Sequence, residues 1–172
     1  MLRRPVSILL ALCAATACCT LSAQDAAGAG NQPALHIDVP TKLSKVNVVV
    51  DMGHAVFGGD TPFALGDIKL LATDLHEWQA SGQVVMIFHG DAAYMVLNDA
   101  AYDANRHATA GNRFKTALNE LMAMGVQIEL CGATASANHW GNADLLPGVK
   151  VNVNAMVRIT QLEQDGYTMI YQ

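Results

Sequence analysis

Cysteine occurs at four positions, and three of them, Cys13, Cys18 and Cys19, crowd into the apolar N-terminal run, which leaves Cys131 as the one thiol in the body of the chain. A thiol does nucleophilic or group-carrying chemistry as its thiolate, so what matters is whether its surroundings favour the anion. Cys131 follows the apolar run Val126-Gln127-Ile128-Glu129-Leu130 and precedes Gly132-Ala133-Thr134-Ala135-Ser136-Ala137, small residues able to open a helix just past the sulfur. A helix start offers free N–H groups and partial positive charge, both of which stabilise a thiolate. The bland alternative is that Cys131 packs as a small hydrophobe, and the residues alone leave both readings open.

Other polar groups recur at comparable places. His54 closes Asp51-Met52-Gly53-His54, His89 opens His89-Gly90-Asp91, and Asn152 and Asn154 flank Val153. Asn138, His139, Trp140, Gly141, Asn142 and Asp144 form a polar loop shortly after the thiol. Structural duties compete for several of them: Asp91 is well placed to cap a helix, Trp140 to cover the core, and Asn142 or Asp144 to hold a turn before Pro147. His54 and His107 with Cys131 match no compact zinc spacing, so no metal site is expected. No cofactor is called for either, since the chain lacks Gly-x-x-x-x-Gly-Lys, lacks Gly-x-Gly-x-x-Gly after its first strand, and lacks Gly-x-Ser-x-Gly.

The elements that must position these groups follow from hydrophobic periodicity. Val46-Asn47-Val48-Val49-Val50 is a strand covered on both faces, and Val84–Phe88, Val126–Leu130, Val149–Val153 and Tyr167–Tyr171 supply four more. Ala64, Leu65, Ile68, Leu71, Leu75 and Trp78 recur at helical spacing and predict a helix closed by Gly82. Further helices are expected around Tyr94, from Phe114 to Gly125 and from Ala155 to Gln164, while Tyr102 to Ala110 reads as loop. Alternating strands and helices predict an α/β fold: a three-layer α/β/α sandwich with a mostly parallel five-stranded sheet, flavodoxin-like. Ligands of such sheets bind beyond the carboxyl ends of the strands, and that edge is where Asp51, Gly53, His54, His89, Gly90, Asp91, Cys131, Gly132, Asn152 and Asn154 fall.

The chain has 172 residues, 52% of them hydrophobic and 15% charged, which suits one domain with a sizeable core. Met1-Leu2-Arg3-Arg4, the apolar run Val6 to Leu21 and the small residues Ser22-Ala23 have the form of a secretory signal peptide at 1–23, too short for a membrane span. Ala15-Thr16-Ala17-Cys18 loosely imitates a lipoprotein signal but lacks its leucine. A flexible lead-in over 24–44 and a domain over 45–172 complete the expected organisation, with a periplasmic or secreted destination. Cleavage removes two arginines and no acidic residue, taking the formal charge from −5 to −7, which argues against nucleic acid or anionic lipid as partner. It also leaves Cys131 without an intramolecular disulfide partner.

Three segments, Val85 to Tyr94 (VMIFHGDAAY), Gly125 to Ala135 (GVQIELCGATA) and Trp140 to Met156 (WGNADLLPGVKVNVNAM), resemble the DsrE/DsrF-like family of small sulfur-relay proteins. The resemblance spans roughly Lys45 to Gln172, and Cys131 stands where sulfur-carrying members hold their persulfide cysteine. It implies that family's α/β/α sandwich, assembly into a homo-oligomer, and a Cys131 that takes sulfane sulfur from a small donor and yields it to an acceptor thiol. His89 and Asn142 would position the donor, and Gly132 and the N–H groups after it would stabilise the thiolate. The competing expectation is a non-catalytic ligand-binding or assembly module with an inert, buried Cys131. The cytoplasmic partners of characterised relay members do not carry over to a chain with an export signal.

Overall fold

A computed structural model describes residues 34–171; the expected signal segment and residues 24–33 lie outside the described residues. The chain divides into two units with the boundary after Val39. In the first, Ala34–Val39 is exposed and forms neither helix nor strand. The second is the α/β domain, whose first strand, β1, runs from Lys45 to Met52.

Six more strands and five helices follow. A two-residue hairpin, β2 (Phe57–Gly58) and β3 (Thr61–Pro62), leads into α1 (Phe63–Trp78) and then β4 (Ser81–Phe88). A 3-10 helix at Gly90–Val96, α2 (Asp99–Arg106) and α3 (Lys115–Ala123) precede β5 (Gln127–Cys131). Helix α4 (Gly132–Ala137), a 3-10 turn at Asn142–Asp144, β6 (Lys150–Asn152), α5 (Ala155–Gln164) and β7 (Thr168–Tyr171) complete the chain. The main sheet is parallel throughout, in the order β6-β5-β4-β1-β7. No helix among the described residues is long and apolar enough to cross a membrane.

Crossover handedness fixes the layers. The chain steps from β1 to β4, β5 and β6 in one direction and then returns from β6 to β7 at the opposite edge. Because parallel crossovers are right-handed, the reversal puts α5 on the face opposite α1 and α3. The two faces have separate cores. Val46, Val48, Val50, Val84, Met86, Phe88, Ile128 and Leu130 pack under α1 and α3, while Val49, Val85, Ile87 and Cys131 pack under Ala155, Ile159 and Leu162 of α5. Strand side chains alternate between faces, so Asp51, His89, Gln127 and Glu129 share parity with the α5 side.

The strands and α5 stand close to their predicted places, and three expectations need correction. Helix α1 closes at Gln79, which adopts the left-handed conformation (φ 55°), and Gly82 lies inside β4. A Cβ at Gly82 would lie only 2.0 Å from the Val46 carbonyl oxygen, so glycine there permits close approach to β1. The helix around Tyr94 is of the 3-10 type. Most of the stretch read as loop from Tyr102 is helix α2, started by Asn98, whose Oδ1 accepts a hydrogen bond from Ala101 N at 2.9 Å. Its one buried residue, Tyr102, packs among Tyr94 and Phe114, so no apolar stripe marked the helix in the sequence.

The α5 face is also where polarity is buried. Glu129, with its side chain 4% exposed, accepts from Arg158 Nη2 at 2.9 Å, from Arg158 Nε at 3.1 Å to each oxygen, from Asn152 Nδ2 at 2.9 Å and from Gln127 Nε2 at 2.5 Å. Burial alone would raise the Glu129 pKa, but the hydrogen bonds from Arg158, Asn152 and Gln127 and the Arg158 charge outweigh it and hold the pKa below its ordinary value. A carboxyl group with a depressed folded pKa contributes stability that is full above the ordinary value of 4.5 and is lost as pH falls through the folded one. Glu129→Gln is therefore expected to lower stability at neutral pH by on the order of 3 kcal/mol. It should also flatten the acid limb of the pH–stability curve, as measured by denaturant unfolding between neutral pH and strong acid.

Candidate functional site

Strand β5 turns into α4 without an intervening loop, because Cys131 is both the last strand residue and the N-cap of the helix (φ −63°, ψ 117°). Gly132 makes this junction possible: a Cβ there would lie 2.5 Å from the Asn152 carbonyl oxygen and 3.1 Å from that of Val153. The β6 strand end and the start of α5 can thus approach the sulfur closely.

One hydrogen bond reaches it: Ala155 N, the first residue of α5, donates to Cys131 Sγ at 3.3 Å. The first turn of α4, with the Thr134 hydroxyl and the N–H groups of Ala133 and Thr134, lies beside the sulfur and favours its anion without a capping hydrogen bond to it. Gly90 N in turn donates to Thr134 Oγ1 at 3.4 Å, which ties the turn after β4 to the same hydroxyl. Burial pushes the thiol pKa up, since Cys131 is only 5% exposed, but the donor groups of Thr134, Ala155 and Ala133 outweigh it and the pKa lies below its ordinary value. The sulfur thus meets the starts of both α4 and α5.

The strand register sets the row in which the sulfur lies. One residue past the pairs Met52↔Phe88 and Phe88↔Leu130 come Gly53, His89 and Cys131, and Cys131 pairs with Asn152. His89 leans toward β1: its Nε2 lies 2.5 Å from Asp51 Oδ1, and its ring occupies the space that a Cβ at Gly53 would fill. Both side chains are mostly buried, with 26% of His89 and 20% of Asp51 exposed. Gly90 adopts φ +51° and meets the thiol's cluster through its N–H.

The remaining expected residues have other surroundings. Asn154 is the N-cap of α5, its Oδ1 accepting from Val157 N at 2.9 Å, so it shapes the helix start that reaches the sulfur. His54 is exposed and pairs with Asp91 at 3.3 Å, both lining a surface cleft with Phe57, Tyr94 and Arg106. Asn142 is exposed on its 3-10 turn, in a loop tied to the other side of the domain through Asn98 N to Asp144 O and Leu146 N to Val96 O. Gly132 acts through its lack of a side chain. Among the described residues, no three His, Cys, Asp or Glu side chains gather as a metal ion would require.

One residue of the site, Thr134, was missed in the sequence reading, and another, Asp51, was placed on the ligand edge without its partner. Asp51 lay inside a strand that runs to Met52 rather than stopping at Val50, and only the parity it shares with Val49 could have placed it beside His89. Thr134 was legible in principle: a hydroxyl three residues past an N-cap is at the spacing from which a side chain reaches back to the cap.

The DsrE/DsrF-like family pattern matches residues 45–171. The chain belongs to the DsrE/DsrF-like family. No curated protein is similar enough in sequence to count as a match. Among solved structures, the chain is similar to the YchN protein of E. coli, with TM-score 0.53 and 16% identity over 74% of this chain and 99% of that one. It is also similar to MTH1491 of Methanobacterium thermoautotrophicum, a protein of unknown function, with TM-score 0.50 and 18% identity over 74% of this chain and 98% of that one. At these identities the likeness shows the fold.

If the Thr134 hydroxyl holds the anion, Thr134→Val should raise the pH midpoint of Cys131 alkylation in the folded protein by about one unit. Thr134→Ser should leave it near the wild-type value, and equal midpoints in all three proteins would remove the hydroxyl from the account.

Proposed function

We propose that the chain is an exported sulfur-handling protein in which Cys131 accepts sulfane sulfur as a persulfide and passes it to an acceptor thiol. The observation that carries this reading is a nearly buried sulfur at the carboxyl edge of the sheet that accepts a hydrogen bond from the first N–H of α5 and belongs to the N-cap residue of α4. Membership of the DsrE/DsrF-like family supports a sulfur-relay role. In the transfer step the Cys131 thiolate attacks the outer sulfur of a persulfide R–S–SH. The bond from Cys131 Sγ to the outer sulfur forms, the S–S bond of the donor breaks, and the leaving thiolate R–S⁻ takes the electron pair and then a proton from solvent or His89. No net oxidation occurs, and an acceptor thiolate reverses the sequence to restore Cys131.

His89 is suited to position the donor because it lies next to Cys131 in the row, on the same face, with its ring fixed by Asp51 and Gly53. The sulfur's small exposure favours donors that are slim near the transferred atom.

Incubation with polysulfide or a low-molecular-weight persulfide should add whole sulfur atoms to the Cys131 peptide by mass spectrometry, with none in Cys131→Ser. His89→Asn should slow sulfur loading by roughly tenfold while leaving the alkylation midpoint of Cys131 in place, as removal of a positioning or proton-transfer group predicts.

The second reading, a binding or assembly module with an inert cysteine, draws on the same 5% exposure and on the aliphatic neighbours Val85, Ile87 and Ile159. A charged alkylating agent near neutral pH separates the two. Rapid labelling of the folded protein supports the carrier, and labelling only after denaturation supports the inert module.

A further inference from the structure

The buried Glu129–Arg158 pair is larger than the fold needs at that place, since an edge-proximal strand under an amphipathic helix is satisfied by aliphatic residues. Its position gives it a second meaning. Glu129 lies two residues before Cys131 on the same strand and the same face, and Arg158 lies three residues after Ala155, in the first turn of α5. Arg158 N donates to the Asn154 carbonyl oxygen at 3.1 Å, so the guanidinium and the capped helix start are one rigid turn. The forked contact of Nε and Nη2 with both carboxylate oxygens allows little rotation or sliding of that turn over β5. Asn152, the register partner of Cys131, donates to the same carboxylate.

We propose that the Glu129–Arg158 pair is a positioning device: it fixes the first turn of α5 over β5 so that Ala155 N–H meets Cys131 Sγ. Arg158 and Glu129 touch neither the sulfur nor its donor, and act through Ala155 N. This rests on the reading of Cys131 as a working thiolate and adds the group that sets its reactivity from a distance. The charged and titratable groups on the sulfur's side of the sheet are Glu129 on β5, Lys150 on β6 beside Gln127, His89 past β4 with Asp51 on β1, Arg158 on α5, and Tyr167 packed against the apolar cluster; α4 carries none.

The test is the pH dependence of Cys131 alkylation in the folded full chain, compared among wild type, Arg158→Met, Arg158→Lys and the double variant Glu129→Leu/Arg158→Met. A raised midpoint in Arg158→Met, by about one pH unit or tenfold less thiolate at a given pH, is expected, with partial recovery in Arg158→Lys. The double variant buries no unpaired charge and keeps a folded chain available even where Arg158→Met unfolds; its midpoint should be raised as well. A double variant at the wild-type midpoint overturns the proposal, because any shift in Arg158→Met alone would then come from the uncovered Glu129 carboxylate. Lowered thermal stability with an unmoved midpoint in Arg158→Met overturns it too, leaving the pair a structural one. The wild-type curve tests the underlying reading separately: a midpoint at or above the ordinary thiol range sinks the working thiolate whatever the variants do.

Discussion

The Cys131 sulfur is nearly out of water, and an anion there persists only if protein dipoles replace the solvent it has lost. The Ala155 N–H, hydrogen-bonded to the sulfur, and the first turn of α4 beside it are the dipoles at hand, and they depend on different parts of the fold. Ala133 N and Thr134 N require that β5 pass into α4 with no loop. The Thr134 hydroxyl requires the turn at Gly90, whose N–H it accepts. Ala155 N requires that α5 begin over the end of β5, although α5 connects β6 to β7 across the whole sheet. The sheet order, the crossover hand and the glycine at 132 together bring these groups to one atom.

That dependence explains the inequality of the two faces. Under α1 and α3 the interior is aliphatic and aromatic apart from Asn112, whose Nδ2 donates to the Met95 and Leu97 carbonyl oxygens. Under α5 the apolar cluster is small and is bordered by Gln127, Glu129, Asn152 and Arg158 toward one edge and by Asp51 and His89 toward the strand ends. A single helix covering five strands cannot dry the whole face, and the polar residues are found where its coverage runs out. Asn152 Oδ1 is the one buried side-chain oxygen or nitrogen among the described residues that lacks a partner.

Much of this was legible before the structure. Val46–Val50, Val84–Phe88 and Val126–Leu130 are β-branched or aliphatic runs of strand length, and the rule that parallel-sheet ligands gather past strand ends placed His89 and Cys131 on one edge. Helix α5 was readable over its full span because Asn154 caps it and Ala155, Ile159 and Leu162 recur at helical spacing. Helix α2 was not, because it buries one residue and is otherwise polar and alanine-rich. Asp51–His89 and Glu129–Arg158 were beyond reach for a different reason: their members are 38 and 29 residues apart, and only the register of non-adjacent elements brings them together. His54 and Asn142 show the converse, since sequence proximity to a strand end or to the thiol did not bring either one to the sulfur.

Charge makes the pairing of Glu129 more than a local matter. Residues two apart on a strand are roughly 6.7 Å from one another, and two like charges at that distance repel by about 2.5 kcal/mol at an effective dielectric of about 20. Unneutralised, Glu129 would oppose the Cys131 thiolate by nearly two pKa units, about as much as a charge-assisted hydrogen bond returns. Arg158 removes that opposition with the same guanidinium that fixes the turn carrying Ala155. A lysine could neutralise the carboxylate but, as a point charge on a rotatable stem, would hold the turn less firmly. The forked side chain therefore answers both demands of a nearly buried thiolate, a neutral neighbourhood and a donor held at fixed distance.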